Sequence, residues 1–213
     1  MNVLRLGVLV SGRGSNLQAI IDEIEAGTLK AEIAVVVSNK RGVPALERAE
    51  RHGLTTVFLD PQSVANTSNP RQMYDQRLLE TLQHHQVQLV ILAGYMKIVT
   101  SVLIDSYESR IMNIHPSLLP SFPGLRAQRQ ALEHGVKVAG CTVHFVTEGM
   151  DTGPIILQQA VPVEEGDTED VLSKRILKVE HGLLPRAIRL FAEGRLSMTG
   201  RTVHIHGHRG TSD

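Results

Sequence analysis

Leu4 to Val10 is a nearly continuous apolar run that ends abruptly at Ser11-Gly12. A strand so short and so apolar needs cover on both faces, which points to a parallel sheet flanked by helices. The chain then keeps the same rhythm. Leu17, Ile20, Ile21 and Ile24 recur at helical spacing, and Gly27 ends that helix. EIAVVVSN (Glu32 to Asn39) reads as a second buried strand. PALERAERHG reads as a helix with Pro44 near its start and Gly53 at its end. TTVFLD is a third strand, the polar PQSVANTSNP is a loop, a helix is expected from about Arg71 to His85, and VQLVILAG is a fourth strand. Alternation of this kind implies right-handed βαβ units.

The second half reads differently. RIMNIH, VAGCTVHFVT and PIILQQAVPV are strand-like, and the last two are separated only by a short segment around EGMDTG. They are expected to pair antiparallel as a hairpin. Thr168 to Glu193 reads as one long closing helix, or two joined near Gly182 and Pro185. GRTVHIHGHRGTSD reads as a frayed polar tail whose His204, His206 and His208 belong to the surface rather than to a metal site. The expected fold is therefore α/β: a Rossmann-like, mostly parallel sheet flanked by helices, with antiparallel strands in the C-terminal half. One domain is expected over residues 1–195 and a polar tail over 196–213, with no repeat and no long linker.

Composition narrows the function classes. Aromatic residues make up 3% of the chain and Trp is absent, so the core must be aliphatic. Lys plus Arg and Asp plus Glu both number 22, which argues against a nucleic-acid binder. The expected partners are small molecules, with neither nucleic acid nor membrane, and the expected assembly is a monomer or homodimer. Cys141 is the one cysteine; it has no disulfide partner, no zinc spacing, and an apolar setting that suits a buried structural thiol. No signal-like segment and no run of eighteen apolar residues is present, so a cytoplasmic protein is expected.

SGRGSNL follows a strand and opens a helix. Backbone N–H groups at such a position attract anions, and Gly12 and Gly14 allow close approach. The sixth position of a dinucleotide fingerprint is Leu17 here, the second strand ends in Ser38-Asn39 rather than an acid, and a Walker Lys is absent. A small phosphorylated substrate fits better than NAD or ATP. The alternative is an ordinary β-to-α turn capped by Ser or Asn.

NIHPSLLPSFPG, Asn113 to Gly124, places an amide and an imidazole two residues apart at a strand end and then stiffens the exit with three prolines. Alternation puts Asn113 and His115 on one face, with Cα atoms roughly 7 Å apart. The amide can donate to a developing oxyanion and the imidazole can move a proton near neutral pH. Asp151, in the glycine-flanked EGMDTGP, is either a turn residue or a carboxylate folded back to favour the imidazolium. His144, on the strand CTVHFV, is either a hydrogen-bonded core histidine or a support for that site.

SGRGSNLQAII, LAGYMKIV, NIHPSLLPSFPG, GCTVHFV and MDTGPIILQ stand in the order seen in the folate-dependent formyltransferases. NIHPSLLP with a later Asp-x-Gly-Pro resembles that group in general, and the N-terminal SG-x-GSNL resembles its phosphoribosylglycinamide formyltransferase branch. The resemblance covers about residues 3 to 195. It implies a Rossmann-like N-terminal half that binds the substrate phosphate and a C-terminal half that serves folate binding and catalysis. By motif match, Gly14, Ser15, Asn16 and Glu180 would bind glycinamide ribonucleotide. Arg71, Met96, Lys97, Ile98, Val99, Asn113, Thr147, Glu148, Gly149, Met150 and Asp151 would bind folate. Asn113, His115 and Asp151 would be catalytic, with His144 as support.

The implied reaction moves a formyl group from 10-formyltetrahydrofolate, a co-substrate, to the substrate amine; the implied site needs no metal. Lys97 stands where Arg is frequent in the family, and Arg126 and Ala127 also depart from its pattern. Methionyl-tRNA formyltransferase, which needs a further C-terminal domain, and formyltetrahydrofolate hydrolase, which normally carries an N-terminal regulatory domain, share the core. A silent nucleotide-binding module is the rival from another class.

Overall fold

The structure, a computed structural model, describes residues 3–207. The chain forms two compact units. The first runs to Asn113 and takes in Val146–Glu148; the second comprises Ile114–Phe145 and resumes at Gly149.

The first unit holds β1 (Leu4–Val10), α1 (Ser15–Glu25), β2 (Ala31–Ser38), α2 (Pro44–Arg51), β3 (Thr56–Phe58), α3 (Pro70–His84), β4 (Leu89–Leu92), α4 (Ser101–Ser106) and the start of β5 (Ile111–His115). Its strands lie in the order β3-β2-β1-β4-β5, and every pair is parallel. The continuous apolar runs are explained by two-sided burial: Leu6, Val8, Leu9, Val35, Val37, Val90 and Ile91 show no exposure above 0%. Parallel pairing sends every strand-to-helix loop out at one end of the sheet. There Val10 pairs with Ser38 and Leu9 with Leu92, so the loops after β1, β2 and β4 start level. The short α4 had no counterpart in the sequence reading, nor did a 3₁₀ turn at Pro61–Val64.

The second unit holds the end of β5, α5 (Ala127–Glu133), β6 (Val138–Phe145), β7 (Ile155–Pro162), α6 (Glu169–Ala192), β8 (Leu196–Thr199) and β9 (Thr202–Ile205). β6 and β7 form the expected antiparallel hairpin, with Thr142 opposite Gln158 and a register shift between Val143 and His144. α6 is one continuous helix rather than two. Thr168 caps it by accepting from the Val171 N–H, Glu169 and Asp170 complement the dipole, and Pro185 lies inside it.

The frayed tail was the wrong expectation for residues 196–205, which pair as the β8-β9 hairpin. Arg195 Nε donates to His206 O at 2.7 Å, His206 N–H returns a bond to Arg195 O at 2.8 Å, and Arg201 reaches Thr152 O at 2.7 Å. His204 sits on this hairpin, and His206 Nε2 lies 2.6 Å from Ser197 Oγ; His208 falls outside the described residues. Among the described residues, no helix is long and apolar enough to cross a membrane.

Candidate functional site

In the first unit, the turn after β1 enters α1 through Gly14, whose φ of 74° is left-handed. No side chain caps this helix, so the capped-turn alternative is not what starts it. A Cβ on Gly14 would sit 2.7 Å from Ala45 Cβ and 2.8 Å from Ala45 Cα, so only glycine fits. At Gly12 an added Cβ would meet nothing within 4 Å, so the turn presents an open face there. Ser15 is half-buried and Asn16 is buried, and the first amides of α1 form a positive pole beside them.

Ser11, at the end of β1, is buried. Its hydroxyl donates to Asn39 Oδ1 at 2.6 Å and accepts the Met96 N–H at 2.8 Å. Met96 opens the loop that follows β4. That loop closes where the Asp75 carboxylate accepts the Thr100 N–H. Between these points Lys97 Nζ stands 4.7 Å from the centre of the Tyr74 ring, a cation–π contact, while Met96 and Ile98 are exposed and Val99 is buried. Beneath the loop, burial pushes the Tyr74 phenol up to about 12 and the Asp75 carboxyl above its ordinary value. Arg71 is exposed in the first turn of α3. Asn113 is half-buried on β5; Thr147 and Glu148 are exposed.

In the second unit His115, Asp151 and His144 come together. Asp151 Oδ2 lies 3.3 Å from His115 Nδ1 and accepts the Gly124 N–H at 2.8 Å. Asp151 Oδ1 faces His144 Nε2 at 3.7 Å. His115 Nε2 is 2.8 Å from Phe122 O and His144 Nδ1 is 2.8 Å from Phe145 O. A carbonyl only accepts, so those nitrogens carry the protons. Burial alone would raise the Asp151 carboxyl. The His144 hydrogen bond, the Gly124 N–H and the charges of His115 and His144 together outweigh it and hold the group below its ordinary value. Gly149 and Met150, just before Asp151, are exposed.

The proline-rich exit from β5 is tied down from β6 and β7. Thr142, fully buried, donates to Ser117 O at 2.7 Å and accepts from the Leu119 N–H at 3.0 Å. Gln158 donates to Leu119 O at 2.9 Å and to Thr142 Oγ1 at 3.0 Å. Backbone and side-chain bonds thus fix residues 117–119, two to four positions beyond His115. Glu180 on α6 is buried and its charge is felt by Cys141 on β6; burial is the main reason that thiol is pushed up to about 12. Arg126, exposed with φ 56°, leads into α5, where Ala127 is buried. Among the described residues, no group of three or more His, Cys, Asp and Glu is gathered as a metal set.

Ser11, Asp75, Thr142 and Gln158 were not singled out by the sequence reading. Ser11 stood in the quoted glycine motif, and its position at the end of a buried strand was the available signal. The other three gave none, because their partners lie 16 to 39 residues away.

A model described as formyl transferase matches residues 4–188. The phosphoribosylglycinamide formyltransferase of Escherichia coli is 43% identical over 209 residues, 98% of this chain and 95% of that enzyme. The trifunctional purine biosynthetic protein adenosine-3 of Drosophila pseudoobscura is 47% identical over 194 residues, 90% of this chain; the match spans only 14% of that much longer protein. Among solved structures, glycinamide ribonucleotide transformylase 1 from Symbiobacterium toebii superposes with a TM-score of 0.93 at 55% identity, covering 96% of this chain and 95% of its own.

Proposed function

The chain belongs to the formyl transferase family, and on that premise we propose that it transfers the formyl group of 10-formyltetrahydrofolate to the amino group of glycinamide ribonucleotide. The products would be formylglycinamide ribonucleotide and tetrahydrofolate, in purine biosynthesis. The observation that carries the reading is the His115–Asp151 pair at 3.3 Å, the imidazole buried and the carboxylate partly so, in a chain that matches a glycinamide ribonucleotide transformylase over nearly its whole length.

The reaction needs three things. The substrate amine attacks the formyl carbon, the carbonyl oxygen becomes an oxyanion, and a proton moves from the amine to N10 as the carbon–N10 bond breaks. The Asn113 amide and a His115 N–H would donate to the oxyanion. His115 Nε2 now donates to Phe122 O, so donation to the substrate from that nitrogen requires exchanging one acceptor for another; such bonds are often remade when substrate binds. The acidic Asp151 would hold the imidazole in place and help pass the proton. Gly14, Ser15, Asn16 and Glu180 would hold the ribonucleotide, with its phosphate at the positive pole of α1. Arg71, residues 96–99 and residues 147–151 would hold the folate. The enzyme would work in the cytoplasm on small molecules.

The test is a spectrophotometric assay with 10-formyl-5,8-dideazafolate, with and without glycinamide ribonucleotide. Turnover that needs the ribonucleotide is expected, and His115→Ala should cut kcat by a factor of about 10² to 10⁴ with a modest effect on KM. Equal turnover without the ribonucleotide would make the protein a hydrolase. No turnover at all would overturn the reading.

A further inference from the structure

Residues 96–100 carry no regular backbone pairing, yet both ends are fastened to side-chain oxygens that the sheet and α3 keep out of water. Met96 N–H donates to Ser11 Oγ at 2.8 Å, and Thr100 N–H donates to the Asp75 carboxylate. Ser11 is 4% exposed and Asp75 2%. The hydroxyl is fully committed: it accepts from Met96 and gives its own proton to Asn39 Oδ1. Ends of β1, β2 and β4 are thereby joined through one oxygen. Between the two fastenings Met96 and Ile98 are 60% and 59% exposed. A loop with a fixed backbone and uncovered apolar side chains is built to receive a flat, partly apolar ligand.

We propose that Ser11 is a positioning residue for the formyl donor: it sets the backbone of residues 96–99 against which the pteridine lies, with Asp75 as the second fastening. This rests on the function proposed above. Ser11 touches no reacting atom. It acts through Met96, and its chemistry is specific, since the position needs an acceptor for one neighbour and a donor for the other. Alanine offers neither. The Met96 N–H would then be left without its partner, and the loop would loosen to find water.

The experiment is Ser11→Ala, read in two ways. In steady-state kinetics the KM for 10-formyl-5,8-dideazafolate should rise about tenfold, the loss of one hydrogen bond, while kcat and the ribonucleotide KM stay within about twofold. In hydrogen exchange the Met96 amide should exchange faster while the amides of α3 keep their protection. If Ser11→Ala does not fold, Ser11→Cys, similar in size with a weak acceptor, takes its place and should show the same split. A folate KM that does not move, or both KM values rising together with Met96 exchange unchanged, overturns the proposal. If the native enzyme itself shows no folate turnover, the function has failed instead, and the Met96 exchange rate alone still decides whether Ser11 fastens the loop.

Discussion

Asp151 stays acidic in a place where burial by itself would make it a weaker acid. The imidazole of His144, the Gly124 N–H and the charge of His115 reverse the effect. The sign for stability follows. A carboxyl held below its ordinary value binds its proton more tightly in the unfolded chain than in the folded one, so acid favours unfolding. Its contribution is complete above the unfolded carboxyl value of about 3.9 and is lost as the pH falls through the lower folded value. The stability gap between the native protein and Asp151→Asn should therefore be widest near pH 6 and close towards pH 3, in urea titrations at each pH. A gap that widens in acid would contradict this account. His115 and Asp151, which the fold brings to 3.3 Å, stood out in the sequence, with Asn113, because an imidazole, a carboxylate and an amide each suggest chemistry. Ser11 did not, because a hydroxyl at a strand end is ordinary until its two partners, 28 and 85 residues away, are known.

The long elements were legible because their patterns are long. α1, α2, α3 and all the strands from β1 to β7 stand within a few residues of where periodicity, Gly and Pro put them. α4 and α5 were missed: six and seven residues are too few to show a helical period. The β8-β9 hairpin was missed because its strands are only four residues long, too short for the alternation in LSMT and TVHI to stand out, and none of their residues is buried. The paired strands β6 and β7 have a more demanding task. Thr142 and Gln158, opposite each other, clamp residues 117–119 with three hydrogen bonds, and a fourth joins Gln158 to the Thr142 oxygen. Thr142→Val keeps the shape but strands the Ser117 carbonyl and the Leu119 N–H. It should cost about 1–3 kcal/mol of stability, seen as a lower urea midpoint. A midpoint unchanged from the native one would mean the clamp is ornamental.

As a whole the molecule carries no net charge and has an isoelectric point near 7.2. Solubility in polyethylene glycol should be lowest near pH 7 and rise as the net charge departs from zero; a minimum displaced by more than about one pH unit would contradict this charge balance. Neutrality also fits a phosphate ligand met by helix amides rather than by a basic surface. Cys141 lends itself to a different use. Its sulfur is shut away in β6 and reluctant to ionise, and no second thiol exists anywhere in the chain. The native protein is thus a blank background for maleimide dyes. One cysteine engineered at the half-exposed Met150 would carry a single fluorophore beside Asp151, and its emission would report when that segment meets a ligand.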